Sequence, residues 1–270
     1  MIDLHAHFLP GLDDGPSDIE QAVALCRVAQ ADGIHTVVAV AHALNGVYQN
    51  SASRIKAAAD ALSRRVAEEG VPLTLLAGAD VHVEPDLLRL IEQGEVLTPN
   101  DTRRYILLEL PEYFVFFHIK ELVFALKAKG ITPIISHPER NPQIQRELDQ
   151  LSELVYGGAL SQVTAMSLTG GFGSHAQAIT ESLMRQGLVH ILASDAHSLE
   201  RRPPILSRAV EAASRLVGPE EALKMVTTVP QAVIAGKPWE PPPPVPLKKK
   251  RTSFFSRAFG GWKREKEMRD

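Results

Sequence analysis

The chain has 270 residues, of which 44% are hydrophobic and 23% charged, and its formal net charge is −3. This balance is typical of one globular domain with a substantial core, and it excludes a disordered or fibrous chain. The single cysteine excludes an internal disulfide. Without a run of about 18 apolar residues or a basic, then apolar, leader, we expect a protein that is neither membrane-spanning nor secreted.

The first predicted element is a strand over "IDLHAH" at residues 2–7. His5 and His7 alternate with apolar residues at its end. Because side chains two residues apart point to the same face of a strand, both imidazoles should converge on one point.

The second predicted element is a helix that begins after Ser17. Ser17 and Glu20 have the spacing of a capping box, and Gly33 supplies the residue that ends the helix. The only cysteine, Cys26, lies within this amphipathic pattern, so we expect it to be buried and unreactive.

Short apolar, β-branched runs then alternate with longer amphipathic stretches to about residue 230. The predicted strands cover residues 34–40, 73–78, 105–110, 132–136, 158–164 and 189–194. This alternation predicts βα units around a parallel sheet that is buried on both faces. In a βα barrel the carboxyl ends of the strands meet on one rim, where functional residues are normally found.

Nearly every predicted strand ends in a residue type that binds metal ions. After His5 and His7 these residues are His42, Asp80, Glu109, His137, Asp195 and His197, with Asp13 and Asp14 in the first loop. A lone histidine at a strand end is more often a hydrogen-bonded core residue, but so many donors on one rim indicate a metal site. Imidazole and carboxylate donors suit Zn²⁺, Mn²⁺, Fe²⁺ or Mg²⁺, and this number would fill two or three ions. Crowded carboxylates also require nearby cations.

Arginines accompany these candidate ligands. Arg140 follows His137, and the pair Arg201 and Arg202 follows His197. Guanidinium groups match phosphate oxygens bidentately, although a surface salt bridge would explain either position taken alone. Together with metal ions, the arginines indicate a phosphate ester as substrate.

Six stretches in order along residues 1–235 resemble the PHP (polymerase and histidinol phosphatase) superfamily. They are "DLHAHFLPGLDDGP", "HALNGVYQN", "YILLELP", "PIISHPERN", "QVTAMSLTGGFG" and "ILASDAHSLERRPP". Within that superfamily they look most like the CpsB/YwqE-type metal-dependent protein tyrosine phosphatases of bacterial capsule and exopolysaccharide systems.

The resemblance implies an α/β fold, a distorted (β/α)7 barrel that holds two or three divalent ions. Manganese is the expected metal, with Fe²⁺, Zn²⁺ and Mg²⁺ as alternatives. The positions that match the family's metal ligands are His5, His7, Asp14, His42, Glu109, His137, Asp195 and His197. Arg140 and Arg202 match its phosphate-side arginines.

Two departures from the family pattern concern the site. Asp80 stands where the family usually has a glutamate, so a bridging role is implied with a side chain one methylene shorter. The segment "VAVAHAL" replaces the expected "ATPHH", so His42 is kept but a second histidine is missing.

The function that this resemblance implies is hydrolysis of phosphotyrosine on a protein, expected to be a membrane-associated kinase that controls polysaccharide synthesis. A small-molecule phosphatase of the histidinol-phosphate type stays open. So does a metal-binding regulatory module with weakened catalysis, because of Asp80 and "VAVAHAL". The signature of thiol-based tyrosine phosphatases is missing, so a phosphocysteine route is not expected.

The last part of the chain changes in composition. We expect the barrel domain to cover residues 1–236, a proline-rich linker 237–247 and a basic, aromatic tail 248–270. The tail carries nine Lys or Arg against three acids. Residues 248–264 suit an anionic membrane surface, with a disordered solubilising tail as the alternative, and no nucleic acid partner is expected. We expect a cytoplasmic protein, peripheral at the inner membrane face, and the oligomeric state stays open.

Overall fold

Strands and helices alternate along residues 1–242, the part of the chain that the computed structural model describes. The strands are β1 Ile2–Ala6, β2 Thr36–Ala39, β3 His42–Ala43, β4 Thr74–Ala77, β5 Asp80–His82, β6 Tyr105–Glu109, β7 Thr132–Ser136, β8 Leu160–Thr164 and β9 Ile191–Ala193. The helices are α1 Ile19–Ala31, α2 Ala52–Glu68, α3 Leu87–Glu92, α4 Phe116–Ala128, α5 Pro142–Arg146, α6 Leu148–Tyr156, α7 Ala165–Leu168, α8 Gly173–Arg185, α9 Ser207–Val217, α10 Pro219–Lys224 and α11 Thr228–Ile234. Two 3₁₀ turns cover Pro99–Asp101 and Pro138–Arg140.

The strands form a distorted seven-stranded parallel barrel. Its two sheets have the orders β1-β2-β4 and β3-β5-β6-β7-β8-β9, and all neighbouring strands are parallel. Since β3 directly follows β2 and β5 directly follows β4, each pair is one barrel strand with a break. The barrel closes between β1 and the end of β9, where the Asp195 N–H donates to His5 O and the His7 N–H to Ala196 O, both at 2.8 Å. The predicted α/β barrel is confirmed.

The breaks are the distortion, and the sequence pattern did not locate them. The runs 34–40 and 73–78 predict one uninterrupted strand each, whereas β3 and β5 start after the chain has left the first sheet. The strands approach closely at this point, because a Cβ at Gly78 would lie 2.6 Å from Val38 Cγ1. As a consequence His42 and Asp80 become paired neighbours in the second sheet.

The start of α1 differs from the prediction by one residue. The side chain of Asp18, and not Ser17, accepts the hydrogen bond from the Gln21 backbone N–H at 2.9 Å, and Ser17 Oγ donates to Asp18. Both residue types are good N-caps, and a carboxylate also interacts favourably with the helix dipole. The predicted end is confirmed, since α1 stops at Ala31, two residues before Gly33.

Apolar side chains pack on both faces of the barrel strands. Leu4, Leu107 and Ile191 belong to the cluster that fills the barrel interior, and a larger cluster lies between the strands and the helices. Cys26 is fully buried in the outer layer, and burial raises the pKa of its thiol to about 12. This confirms the expected unreactive cysteine.

The base of the barrel is covered by residues that follow α11. The Tyr105 hydroxyl donates to Lys237 O at 2.7 Å, and the Trp239 ring packs edge-on against His190. The predicted domain boundaries stay a prediction, and the predicted tail 248–270 lies outside the described residues. Within residues 1–242, no helix has the length and apolarity needed to cross a membrane.

Candidate metal centre

The carboxyl end of the barrel brings together all nine residues predicted as metal ligands. They are His5, His7, Asp14, His42, Asp80, Glu109, His137, Asp195 and His197. The histidines and carboxylates near the barrel axis are buried, while the side chains of Asp14 and Glu109 are 50% and 22% exposed. The site therefore has a buried floor and an open rim.

The two histidines of the first strand face each other across a short gap. His5 Nε2 lies 3.1 Å from His7 Nε2, and both side chains are fully buried. His5 Nδ1 lies 2.9 Å from Gln162 Oε1, and His7 Nδ1 lies 2.7 Å from Asp13 Oδ2. Because these oxygens accept hydrogen bonds, Nδ1 of each ring is the donor, which leaves Nε2 as the nitrogen available to a metal ion. Two Nε2 atoms this close together suit one shared cation.

His197 repeats this arrangement beside His7, on which its ring stacks with centroids 4.0 Å apart. Its Nδ1 donates to the backbone oxygen of Asp195 at 2.9 Å. Its Nε2 is buried without a hydrogen-bond partner and lies 3.3 Å from Asp14 Oδ1. A third imidazole therefore offers Nε2 to the same cavity.

One oxygen, Oδ2 of Asp80, lies between histidines from three other strands. It is 3.6 Å from His5 Nε2, 3.5 Å from His42 Nδ1 and 3.7 Å from His137 Nε2, and it accepts no hydrogen bond from the described residues. These separations exceed hydrogen-bond lengths. They are close to the roughly 3 to 3.5 Å that separates two donors each about 2.1 Å from one ion. The other oxygen accepts a hydrogen bond from Ser136 Oγ at 2.8 Å, which fixes the carboxylate.

Three groups of side chains have the spacing to hold an ion, with their ligand atoms within 4.8 Å of one another. The groups are His7, Asp14, His42 and His197; His5, His7 and Asp80; and His42, Asp80 and Glu109. Two predicted ligands lie beside these groups: His137 Nε2 is 3.7 Å from Glu109 Oε1, and Asp195 Oδ1 is 3.5 Å from His7 Nε2. The residues present therefore fit a centre of several divalent ions, and each ligand assignment stays a prediction.

The protonation states suit metal binding at Asp80 and His7. Burial lowers the pKa of His42, but Glu109 and Asp80 raise it to about 9, so a metal ion bound by His42 displaces a proton. Burial alone would raise the pKa of Asp80, but His5 and His137 hold the pKa of this carboxyl far below its ordinary value. Burial and the neighbouring His197 lower the pKa of His7 to about 4. Ionised carboxylates and neutral imidazoles are the forms that coordinate metals.

Asp195 connects the candidate metal ligands to the two predicted phosphate-side arginines. Its Oδ1 faces His5 and His7, while its Oδ2 forms an ion pair with Arg140 Nη2 at 2.7 Å and accepts a hydrogen bond from Arg202 Nη2. Burial alone would raise the pKa of Asp195, but Arg140, His5 and Arg202 keep it well below its ordinary value. The Nε atoms of both arginines are buried without a hydrogen-bond partner among the described residues. Their free donors lie beside the metal ligands, which suits an oxyanion.

Two residues of the centre have left-handed backbone conformations. His137 has φ 33° and Asp195 has φ 51°. Such values are uncommon for residues other than glycine and carry a conformational cost. His137 directly follows β7, and Asp195 stands two residues after β9, so both left-handed residues lie where the chain leaves a barrel strand at the site.

Sequence reasoning missed the residues that orient the ligands. Gln162 holds His5, Asp13 holds His7, and Ser136 holds Asp80. For Gln162 a signal was present, because it lies two positions after the interior-facing Leu160 on β8 and so points into the barrel. Asp13 was grouped with Asp14, and the sequence did not separate their roles.

The remaining rim residues differ in their contacts. In "NGVYQN" the Tyr48 ring stacks on His42 with centroids 6.0 Å apart, so this loop lies at the site. Arg201 is exposed and takes no part in the arginine pair. Outside the centre, His190 Nδ1 accepts the Ser161 backbone N–H. Burial lowers the pKa of His190 to about 4, which explains a neutral structural histidine.

Known proteins share this sequence and fold. YwqE of Bacillus subtilis, a tyrosine-protein phosphatase, is 35% identical over 255 residues, which are 94% of this chain and all of that relative. The tyrosine-protein phosphatase CpsB of Streptococcus pneumoniae is 29% identical, covering 87% of this chain and 98% of that relative. A crystal structure from work on YwqE and CpsB, described as unique metal-dependent tyrosine phosphatases, matches with a TM-score of 0.88 at 35% identity, covering 92% of this chain and 100% of the other.

More distant structures share the barrel alone. An organophosphorus hydrolase from Deinococcus radiodurans matches with a TM-score of 0.53 at 17% identity, over 86% of this chain and 91% of its own. The family model for capsular polysaccharide synthesis proteins, CpsB/CapC, matches residues 1–235, the whole barrel. The chain therefore belongs to the CpsB/CapC family.

Proposed function

We propose that this protein is a metal-dependent phosphatase that hydrolyses phosphotyrosine on proteins. The observation that carries the proposal is the pair of facing Nε2 atoms of His5 and His7, whose Nδ1 protons are committed to Gln162 and Asp13. This arrangement suits a shared cation, and the arginine pair beside it suits a phosphate group. The tyrosine phosphatases among its relatives support the choice of phosphotyrosine.

The proposed ligands are the nine residues that converge on the rim. They would hold two or three divalent ions, of which we propose Mn²⁺, with Fe²⁺, Zn²⁺ and Mg²⁺ as alternatives. Bound ions of this kind lower the pKa of coordinated water and polarise phosphoryl oxygens.

The chain's own residues bind and orient the phosphate. The guanidinium N–H groups of Arg140 and Arg202 that Asp195 does not use would donate to phosphoryl oxygens and stabilise the charge that develops there. Hydrolysis joins a water oxygen to phosphorus and breaks the bond to the tyrosine oxygen. The released phenolate has a pKa of about 10, so it leaves without a dedicated general acid. Cys26 is buried, and burial raises the pKa of its thiol, so this residue takes no part in the reaction.

The test compares substrates on the full chain loaded with Mn²⁺. We expect turnover of a phosphotyrosine peptide to exceed that of histidinol phosphate, and His5→Ala with His7→Ala to abolish it. Faster turnover of histidinol phosphate would identify a small-molecule phosphatase. Metal binding without turnover of either substrate would identify a regulatory module. Either of these two outcomes would refute the proposal.

A second test concerns Asp13, which holds His7 and also accepts the His42 backbone N–H at 3.0 Å. Asp13→Asn keeps the shape and an oxygen that can accept from His7 Nδ1 and the His42 N–H, but it removes the negative charge that makes His7 Nε2 a stronger metal ligand. We expect metal affinity to fall about 10- to 100-fold, as for other residues that orient metal ligands. Competition with a chelator measures the change. An unchanged affinity in a folded variant would show that the Asp13 charge does not support metal binding at His7.

We further propose that the substrate is a membrane-associated kinase of polysaccharide synthesis and that the enzyme acts in the cytoplasm. The family's connection with capsular polysaccharide synthesis supports this choice. The basic and aromatic residues at 248–264 support a contact with an anionic membrane surface, because each cation near such a surface contributes about 1 kcal/mol.

A further inference from the structure

Phe172 lies at the rim of the site, in the turn that joins α7 to α8. The turn is closed by backbone hydrogen bonds from Gly171 N–H to Met166 O at 2.8 Å and from Gly173 N–H to Gly170 O at 3.0 Å. The half-buried ring is therefore presented from a defined backbone position.

The Phe172 ring lies against both arginines of the phosphate site. Its centroid is 5.2 Å from the guanidinium carbon of Arg140 and 5.8 Å from that of Arg202. The two guanidinium groups also share one oxygen of Asp195, so two like charges are held side by side. The negative face of an aromatic ring attracts such cations, and it does so without using their N–H donors. Phe172 can therefore hold both groups and leave their free N–H groups for a phosphate.

A buried carboxylate ties the Arg140 turn to the Phe172 turn. Glu139 is fully buried, and its Oε1 accepts hydrogen bonds from the Thr164 backbone N–H at 3.0 Å and from Ser167 Oγ at 2.6 Å. Ser167 belongs to α7, whose end leads into the turn with Phe172. The ring and the Arg140 guanidinium are thus placed by one connected framework.

We propose that Phe172 is a positioning residue that fixes the guanidinium groups of Arg140 and Arg202 as a pair for phosphate. The choice of phosphate as the ligand rests on the proposed function. The positioning role of Phe172 rests on the geometry of its ring and the two guanidinium groups. The guanidinium groups are held by the negative face of the aromatic ring and not by the volume that the side chain fills.

The experiment measures binding of inorganic phosphate to the Mn²⁺-loaded full chain by calorimetry. We expect Phe172→Ala to weaken phosphate affinity about tenfold, because two cation–π contacts are lost. Phe172→Leu restores apolar volume without the ring face and should be equally weak, whereas Phe172→Trp should bind phosphate as the wild type does. In kinetics with a phosphotyrosine peptide, the same variants should raise KM more than they lower kcat.

A double-mutant comparison separates positioning from a general structural effect. In a background with Arg140→Met and Arg202→Met, Phe172→Ala should cause no further loss of phosphate affinity. Wild-type affinity in Phe172→Ala or Phe172→Leu, or no phosphate binding by the wild-type chain, would overturn the inference. Phosphate binding can be measured without turnover. A wild-type protein that binds phosphate but does not hydrolyse phosphotyrosine would therefore refute the proposed function and leave this inference intact.

Discussion

Replacing Asp80 by asparagine is expected to lower phosphotyrosine hydrolysis at least about 10³-fold and to reduce the number of bound divalent ions. Asparagine keeps the volume but removes the charge from a fully buried position. Asp80 Oδ2 lies 3.5 to 3.7 Å from nitrogen atoms of His5, His42 and His137. Loss of its negative charge should therefore weaken each metal ion that these histidines bind together with Asp80. Metal content by mass spectrometry and kcat/KM, measured on the same preparation, check the prediction.

Asp80→Glu provides the matched control, because it restores the residue that the family usually has. It keeps the carboxylate but adds a methylene to a packed site, so a small loss of stability is expected. We expect the wild-type number of ions and most of the activity. An Asp80→Asn variant that retained both metal content and activity would show that Asp80 binds no ion.

The barrel was predictable from sequence because its strands are apolar on both faces, whereas its distortion was not. The pattern around Val38 and His42 stays apolar across the break, so periodicity marks no interruption there. The break coincides with the close approach of Gly78 to Val38, residues that are 40 positions apart in the sequence. Long-range contacts of this kind leave no local signal.

The candidate ligands were predictable because parallel strands end on the same rim, whatever the detailed geometry. Their protonation was not, since it depends on Gln162 and Asp13, which face the second nitrogens of His5 and His7. The position of Phe172 over the arginines likewise depends on how α7 and α8 pack. Residue type and spacing thus predict which groups converge, and tertiary contacts decide how each one is oriented.

Replacing Arg140 and Arg202 together by methionine is expected to lower kcat/KM for phosphotyrosine about 10³- to 10⁴-fold while the bound metal is unchanged. Both side chains are about three-quarters buried, and methionine preserves much of their apolar packing. The loss arises because the free N–H donors disappear while the candidate metal ligands stay in place. Steady-state kinetics and metal analysis on the same variant measure the two effects separately.

The thermal stability of the same double variant is expected to depend on bound metal. Asp195 is buried and both arginines compensate its charge, so their removal leaves an unpaired carboxylate in the metal-free protein. We expect Tm of the metal-free variant to fall by roughly 5 °C or more. Added Mn²⁺ should restore most of this loss, because a bound cation replaces the missing positive charge beside Asp195. Equal losses of Tm with and without Mn²⁺ would show that Asp195 faces no ion, and a lysine pair at the two positions provides the control for charge alone.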